Sequence, residues 1–304
     1  MRFSVKAVAL IVAPLIALTG CGDTVKSVAA ITEAQSISLG KQQIATPQRV
    51  IALANGSAEI VASLGYINIL VGRDIASTSK ELKGVPIATA GHQVVPEKIL
   101  ELNPDVVLID NTTGPATAIE IIKRAGIKVT MIDEAWTLND IATKITAVGA
   151  VIGAQGAAAK LVQKLNTALQ ASGKDHPGVR IAFLYLRGGS AIYLLGGQGS
   201  GADSLLKHLG AIDVGAQKFK QPFSPITSEA LIAADPEIIL VMSKGLESVG
   251  GIDGLVSLPG ISQTPAGKNR AVIAVDDSLL LSFGPRTPDL LRQLSGAIGQ
   301  VTGR

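Results

Sequence analysis

Short apolar runs alternate with more polar stretches over residues 47–137 of the chain. The runs are rich in Val, Ile and Leu, and they predict buried strands at residues 49–53, 67–72, 106–110 and 129–132. Segments that end at Gly or at Asn-Pro predict helices between these strands, at residues 58–64, 96–102 and 116–124. This order of strand, helix and strand predicts a parallel or mixed sheet covered by helices.

The C-terminal part of the chain, residues 178–304, repeats this pattern. It predicts strands at residues 181–186, 192–195, 237–242 and 272–275, and helices at residues 202–209, 228–233 and 288–298. Both parts contain a helix, then Leu-Asn-Pro-Asp or Ala-Asp-Pro-Glu, then an apolar strand, at residues 99–109 and 231–241. The residue before a proline is disfavoured in a helix, so this motif ends each helix just before its strand. The repetition predicts two lobes of the same class.

Residues 138–172 have a different period from either lobe. Apolar residues recur there at steps of three and four, which predicts one long helix with a possible break near Gly153. The expected architecture is therefore α/β, with two Rossmann-like lobes (residues 47–137 and 178–304) joined by one long helix. A single helical link allows only a small closing motion. We expect a ligand cleft between the lobes, beside the carboxyl ends of the strands.

The N-terminus, residues 1–21, has the pattern of a targeting signal. Arg2 and Lys6 are followed by an apolar stretch over residues 7–18, which is too short to span a bilayer and typical of a signal peptide. Leu-Thr-Gly-Cys at residues 18–21 is similar to a bacterial lipoprotein cleavage box, which predicts that Cys21 is lipidated. Residues 22–46 are polar and predict a tether that contains at most one short strand.

Composition narrows the class of protein. Hydrophobic residues make up 47% of the chain and charged residues 17%, which favours a globular rather than a disordered chain. The net charge is +3, and no run of Lys or Arg indicates a nucleic-acid-binding surface. Cys21 is the only cysteine, so an intramolecular disulfide is excluded.

Several segments together resemble a known family, the binding proteins of ABC importers for haem, cobalamin and ferric siderophores. The resemblance covers residues 47–304 and is closest to haemin-binding lipoproteins. The segments are Gly-His-Gln at 91–93, Tyr-Leu-Arg-Gly at 185–188, Gly-Gln-Gly-Ser-Gly-Ala-Asp at 197–203, Lys-Gly-Leu-Glu-Ser-Val-Gly-Gly at 244–251 and Phe-Gly-Pro-Arg-Thr-Pro at 283–288. The resemblance implies an extracytoplasmic, lipid-anchored protein without catalytic activity. Such a protein binds haem as its transported ligand and delivers it to a permease dimer with its ATPase.

The resemblance also implies the ligands of the haem iron. His and Tyr are among the axial ligands of haem iron in proteins, and the chain has three of each. In the resembled family, the residues that match His92 and Tyr185 bind iron from opposite lobes. Arg187 belongs to the same pattern. Residues i and i+2 of a strand share a face, so its guanidinium can stand beside the Tyr185 phenol and favour the phenolate. The remaining residues of these types are interpreted as structural or solvated: His176, His208, Tyr66 and Tyr193.

Further residues are expected near the porphyrin. Met242 matches a position near the iron in the resembled family, although packing in the core explains it equally well. Arg73 and Arg286 lie in loops near the expected cleft and are candidate partners of the anionic propionates, with a solvated surface position as the alternative. The chain has only five Phe, three Tyr and one Trp, so aliphatic side chains would have to cover the macrocycle.

Two glutamates are expected to contact the permease. Glu59 and Glu229 each lie at the start of a predicted helix, one in each lobe. The resemblance implies that they meet arginines on the two permease subunits. A carboxylate at a helix N-terminus is also favourable in itself, so capping is the alternative interpretation.

Other functions remain open at this point. A ferric siderophore or cobalamin would use the same importer class. Gly197, Gly199 and Ala202 are similar to a dinucleotide-binding fingerprint, which would indicate a nucleotide-using enzyme, but no acidic residue follows at the usual spacing. A metal-ion binder lacks the expected cluster of histidines and carboxylates. A redox or haem-storage lipoprotein is a further alternative.

Overall fold

A computed structural model describes residues 28–40, 49–172, 176–188 and 193–303. Its strands are β1 (Ala29–Ile31), β2 (Val50–Ala52), β3 (Leu70–Arg73), β4 (Thr89–Ala90), β5 (Gln93–Val94), β6 (Val106–Ile109), β7 (Lys128–Met131), β8 (Arg180–Leu186), β9 (Tyr193–Gly196), β10 (Ile212–Asp213), β11 (Phe223–Pro225), β12 (Ile238–Met242) and β13 (Val272–Val275). Its helices are α1 (Ser57–Ser63), α2 (Pro96–Glu101), α3 (Ala116–Arg124), α4 (Asp140–Val151), α5 (Gln155–Ala171), α6 (Ala202–His208), α7 (Val214–Lys218), α8 (Ser228–Ala234), α9 (Ser243–Ser248), α10 (Gly251–Ser257), α11 (Pro265–Lys268), α12 (Asp277–Ser282) and α13 (Thr287–Thr302).

The N-terminal lobe contains a parallel sheet of four strands in the order β3-β2-β6-β7. Ile51 and Val107 belong to the hydrophobic cluster on one face of this sheet, whereas Val50 and Leu108 belong to the cluster on the other face. Both faces of β2 and β6 are therefore buried, which explains why these two central strands are continuous apolar runs rather than alternating ones.

The C-terminal lobe contains a larger sheet in the order β1-β13-β12-β8-β9-β11, with β10 beside β8. The pairs β8–β9 and β9–β11 are antiparallel, and the other pairs are parallel. Phe183 is buried on one face of β8, and Ala182 and Leu184 are buried on the other. The two lobes confirm the predicted α/β fold with two sheets.

The link between the lobes consists of two helices rather than one long helix, and the break lies at Gly153, where the sequence indicated a possible one. Helix α4 ends at Val151, and α5 begins at Gln155. Gly153 between them has a φ of 71°, a backbone conformation that favours glycine and breaks the helix. The two helices pack closely, because a Cβ on Gly149 would lie 2.5 Å from that of Ala158. Their apolar faces join the hydrophobic cluster that extends into both lobes.

Residues 28–40, the N-terminal strap, contact both lobes. Strand β1 pairs with β13 at the edge of the C-terminal sheet. The Ile37 amide then donates to Pro285 O (3.2 Å), and the Leu39 amide donates to Ser63 O of the N-terminal lobe (2.9 Å). The prediction of a tether over residues 22–46 is therefore corrected for this part. Cys21, the signal segment and residues 22–27 and 41–46 of the predicted tether lie outside the described residues.

Helices long and apolar enough to cross a membrane are absent from the described part of the chain.

Candidate functional site

A cavity of about 510 Å³ lies between the two lobes. The N-terminal lobe contributes residues that follow strands: Leu53 and Asn55 after β2, Asp74 after β3, and Thr112 after β6. The C-terminal lobe contributes Met242 at the end of β12, Asp276 just after β13, and Tyr185 near the end of β8. The carboxyl ends of parallel strands therefore surround the cavity, as expected for a ligand site in this class of fold.

His92 lines this cavity from the N-terminal lobe. It is exposed and lies in the two-residue turn between β4 and β5. Gly91 has a φ of 57°, which the first position of such a tight turn requires. The hairpin is attached to the lobe, because the Val94 amide donates to Gly114 O (2.9 Å). The turn therefore presents the imidazole at the cavity mouth. The mouth is the part of the cavity whose lining residues are exposed to solvent.

Tyr185 lines the same cavity from the C-terminal lobe, so the structure brings the two expected iron ligands to one site. Its side chain is half-buried on β8, and its ring packs against Phe223 with 5.4 Å between the ring centroids. Among the described residues, its phenol oxygen has no hydrogen-bond partner. The ring is therefore held by packing, and its oxygen is available to a ligand.

Aliphatic side chains form the apolar part of the lining. Met242 is buried and lines the cavity, as do the side chains of Leu53, Ile75, Val94 and Leu281. The lining therefore combines an apolar surface with one imidazole and one phenol.

The sequence interpretation missed the polar part of the lining. Asp74, Lys244, Asp276 and Asp277 all line the cavity. Burial raises the pKa of Asp74, and a hydrogen bond from Ser77 opposes that rise. Each of these residues lies at or just beyond the carboxyl end of a strand, and this position was the signal that could have identified them.

A set of polar contacts, the interlobe contact, joins the lobes beside the cavity. Helix α12 ends where Phe283 adopts a left-handed conformation (φ 39°), which leaves its last carbonyl groups without partners in the helix. Asn55 Nδ2 donates to Leu281 O (3.0 Å), and Lys144 Nζ donates to Ser282 O (3.2 Å). A cation at a helix C-terminus is favourable. Burial lowers the pKa of Lys144 to about 8, against the attraction of Asp110 and other carboxylates.

A buried ion pair completes the interlobe contact. Arg286 Nε donates to Glu59 Oε2 (2.6 Å), and the Arg286 amide donates to Glu59 Oε1 (3.2 Å). Burial raises the pKa of Glu59, and the Arg286 charge opposes that rise. The backbones also approach closely here, because a Cβ on Gly56 would lie 2.8 Å from Ser282 O. Gly56 has a φ of 72°, so both sterics and conformation favour glycine.

The expected roles of both candidate arginines are therefore corrected. Arg286 is committed to Glu59 and does not line the cavity. Arg73 is buried, and its guanidinium donates to the backbone carbonyls of Asp74, Leu82 and Val85. It holds the loop after β3 and also does not line the cavity.

Arg187, expected beside the Tyr185 phenol, makes no described hydrogen bond to that phenol. The residue is exposed, and it is not part of the cavity lining. The expectation depended on strand alternation, but β8 ends at Leu186, so residue 187 no longer has to share the face of residue 185.

The two glutamates expected at the permease differ in exposure. Glu229 is exposed in the first turn of α8. Glu59 is only 2% exposed, and it also accepts a hydrogen bond from Ser36 of the N-terminal strap (3.3 Å). The docking role expected of Glu59 does not fit this burial, because its carboxylate is already paired inside the protein.

The glycine-rich loop at residues 197–203 is closed by its own carboxylate. Asp203 accepts hydrogen bonds from the amides of Gly199 (2.9 Å) and Gly201 (3.1 Å). A phosphate would need those amides and would meet the negative charge of Asp203. The glycines of this loop therefore form a turn that Asp203 stabilises, and the loop does not fit a phosphate-binding role.

Comparison with known proteins identifies the family. Residues 50–279 match the family model described as periplasmic binding protein. The uncharacterized ABC transporter substrate-binding lipoprotein YvrC of Bacillus subtilis is 25% identical over 274 residues, which cover 87% of this chain and 82% of that protein.

Solved structures of similar proteins have the same fold over most of the chain. The heme binding protein HmuT is 28% identical with a TM-score of 0.79, covering 92% of this chain and 99% of that chain. The periplasmic heme-binding protein RhuT from Roseiflexus sp. RS-1, in its apo form, is 31% identical with a TM-score of 0.78, covering 84% and 99% respectively. These relatives are substrate-binding proteins, which confirms the prediction that the chain is not an enzyme. The chain belongs to the periplasmic binding protein family, the substrate-binding components of ABC importers.

Proposed function

We propose that this chain binds haem between its lobes and delivers it to the permease of an ABC importer. The observation that carries the proposal is that His92 from one lobe and Tyr185 from the other line the same cavity. Imidazole and phenolate are both known axial ligands of haem iron. In this proposal the two side chains bind the iron from opposite walls.

The remaining lining supports a haem-sized cargo. The cavity volume of about 510 Å³ lies within the range of small-molecule sites, roughly 300–1,000 Å³. Leu53, Ile75, Val94, Met242 and Leu281 supply the apolar surface that a porphyrin face needs, as expected for a chain with few aromatic residues. The similarity to HmuT and RhuT, both described as heme-binding proteins, supports the same cargo.

Titration of haemin into the protein without its signal segment tests the proposal. We expect a shift of the Soret band that saturates. His92→Ala and Tyr185→Phe are each expected to alter the position of the bound band and to weaken binding. Tyr185→Phe keeps the packing against Phe223 and removes only the oxygen.

Two matched variants serve as controls. His208 is hydrogen-bonded to Ser172 and lies outside the cavity, and Tyr66 is half-buried beside α1. His208→Gln and Tyr66→Phe should leave the spectrum unchanged. If no Soret shift occurs, or if the His92 and Tyr185 variants give the wild-type spectrum, haem is not held by these residues.

We further propose that Glu229 contacts the permease. Its exposed position at the start of α8 leaves the carboxylate accessible to a cation on another protein, and local hydrogen bonds, from its own backbone amide and from Thr227, lower its pKa and favour the charged form. Glu229→Gln should reduce stimulation of the transporter's ATPase by the haem-loaded protein, whereas Glu247→Gln, which changes another exposed carboxylate, should not. Equal stimulation by the Glu229 variant and the wild type would remove Glu229 from the docking surface.

Attachment to the outer face of the cell membrane through a lipid on Cys21 is part of the same proposal. The motif at residues 18–21 supports it, and the name of the B. subtilis relative describes a lipoprotein. Cys21→Ser is expected to move the protein from the membrane fraction to the soluble fraction. A variant that stays with the membrane would exclude this anchor.

A further inference from the structure

The positively charged side chains in and around the cavity differ in whether they already have partners within the protein. Arg73 and Arg286, the cations expected to recognise an anionic cargo, are both committed to partners outside the lining. Among the described residues of the lining, Lys244 is the one lysine or arginine. Lys244 is therefore the first candidate partner for an anionic group of the ligand.

The carboxylates of the lining are occupied by local hydrogen bonds rather than by Lys244. Asp74 Oδ2 accepts from the Ala76 amide (3.0 Å), and Asp276 Oδ1 accepts from the Ser278 amide (2.9 Å). Asp277 Oδ1 accepts from the backbone amide of Lys244 (3.1 Å). These contacts fix the loops at the strand ends and leave the Lys244 ammonium outside the salt bridges found among the described residues.

Lys244 is placed to meet a ligand. It lies in the first turn of α9, two residues after Met242, and its side chain is exposed at the cavity mouth. Its backbone is fixed by Asp277, whereas its four-carbon side chain is free to move. A carboxylate of the ligand that pointed at Asp74, Asp276 or Asp277 would meet like charge. The Lys244 ammonium offers the opposite charge, and its long side chain can extend into the cavity beyond the Asp277 carboxylate that holds its backbone.

We propose that Lys244 is the residue that recognises a carboxylate of the bound ligand, which for haem is a propionate. This inference rests on the proposed haem function and adds an orientation to it. The iron lies between His92 and Tyr185, and at least one propionate points towards α9 at the mouth. A partly exposed ammonium–carboxylate contact of this kind contributes about tenfold in affinity.

Comparison of haemin with haemin dimethyl ester, whose propionates carry no charge, tests the assignment. Both are titrated into the wild type and into Lys244→Gln, Lys244→Arg, Arg187→Gln and Lys268→Gln, the last changing an exposed lysine outside the cavity. The measured quantity is the ratio of the haemin affinity to the ester affinity, in which the different hydrophobicity of the two compounds cancels between variants. Lys244→Gln should lower this ratio about tenfold, Lys244→Arg should retain most of it, and Lys268→Gln should match the wild type.

The opposing outcomes are distinct. An unchanged ratio in Lys244→Gln overturns the role of Lys244 while haem binding stands. A ratio that falls in Arg187→Gln but not in Lys244→Gln assigns the contact to Arg187 and also overturns it. If neither compound shifts the Soret band of the wild type, the proposed haem function fails and this inference fails with it.

Discussion

The interlobe contact and the cavity mouth both contain charged residues, but these residues are buried and paired in the first and exposed in the second. In the interlobe contact, Glu59, Lys144 and Arg286 are buried, and each has a partner on another part of the fold. At the mouth, His92 and Lys244 are exposed, and their side chains face the cavity. The difference indicates that burial and prior pairing, rather than residue type, separate charges that hold the lobes together from charges that can bind a ligand.

Removal of one partner of the buried ion pair should give the largest effect. Arg286→Met leaves the Glu59 carboxylate buried without its partner, and a loss of about 3–5 kcal/mol in the free energy of unfolding is expected. Urea denaturation measures this loss. The protein that remains folded should still bind haemin with nearly the wild-type affinity, because Arg286 does not line the cavity.

Arg292→Met is the matched control, because Arg292 lies in α13, which follows Arg286 directly, and pairs with Asp289 but is 70% exposed. Its expected cost is about 0–1 kcal/mol. If the two variants lose similar stability, the Glu59–Arg286 pair does not hold the lobes as described.

The pH dependence of stability should show the second-largest effect. Burial lowers the pKa of Lys144 from 10.5 to about 8, so between these pH values the unfolded chain binds more protons at this residue than the folded chain does. The contribution of Lys144 to stability is therefore unfavourable below pH 8 and improves as the pH rises towards 10.5, by about 3 kcal/mol in all.

Urea denaturation of the wild type and of Lys144→Met between pH 7 and pH 10.5 measures this term as the difference between the two proteins. The difference should move in favour of the wild type as the pH rises. A constant difference would mean that the ammonium is not desolvated in the folded protein.

The sequence predicted the two lobes because buried parallel strands such as 106–109 and 272–275 are apolar runs that few other structures produce. It could not separate Glu59 from Glu229, since both open a helix and only tertiary packing buries the first. For the same reason Arg73 and Arg286 were assigned to the ligand and Lys244 was missed. The sequence indicated a possible break near Gly153, but the apolar period continues across residues 138–172, so only the positive φ of Gly153 in the structure separates α4 from α5.

At the cavity mouth, substitution of His92 should weaken haemin binding and leave stability nearly unchanged, the reverse of the result expected for Arg286. His92→Ala should weaken haemin binding by about tenfold or more, through loss of an iron ligand. Because His92 is exposed in a surface turn, the free energy of unfolding should change by less than about 0.5 kcal/mol. Optical titration and urea denaturation of the same preparation give both numbers. A large loss of stability with unchanged affinity would place His92 with the structural residues.

The smallest effect is expected for an ion pair that also joins two segments but is exposed. Lys80 pairs with Glu33 of the N-terminal strap, and the two side chains are 68% and 60% exposed, against 7% and 3% for Arg286 and Glu59. A double-mutant cycle of Lys80→Ala and Glu33→Ala should give a coupling energy of about 0–1 kcal/mol, because water already solvates both charges.

Salt at about 1 M should abolish the coupling between Lys80 and Glu33, since the screening length then falls to about 3 Å. The coupling between Glu59 and Arg286 should survive the same salt, because solvent ions do not reach a buried pair. Equal sensitivity of the two couplings to salt would show that burial does not separate these two kinds of contact.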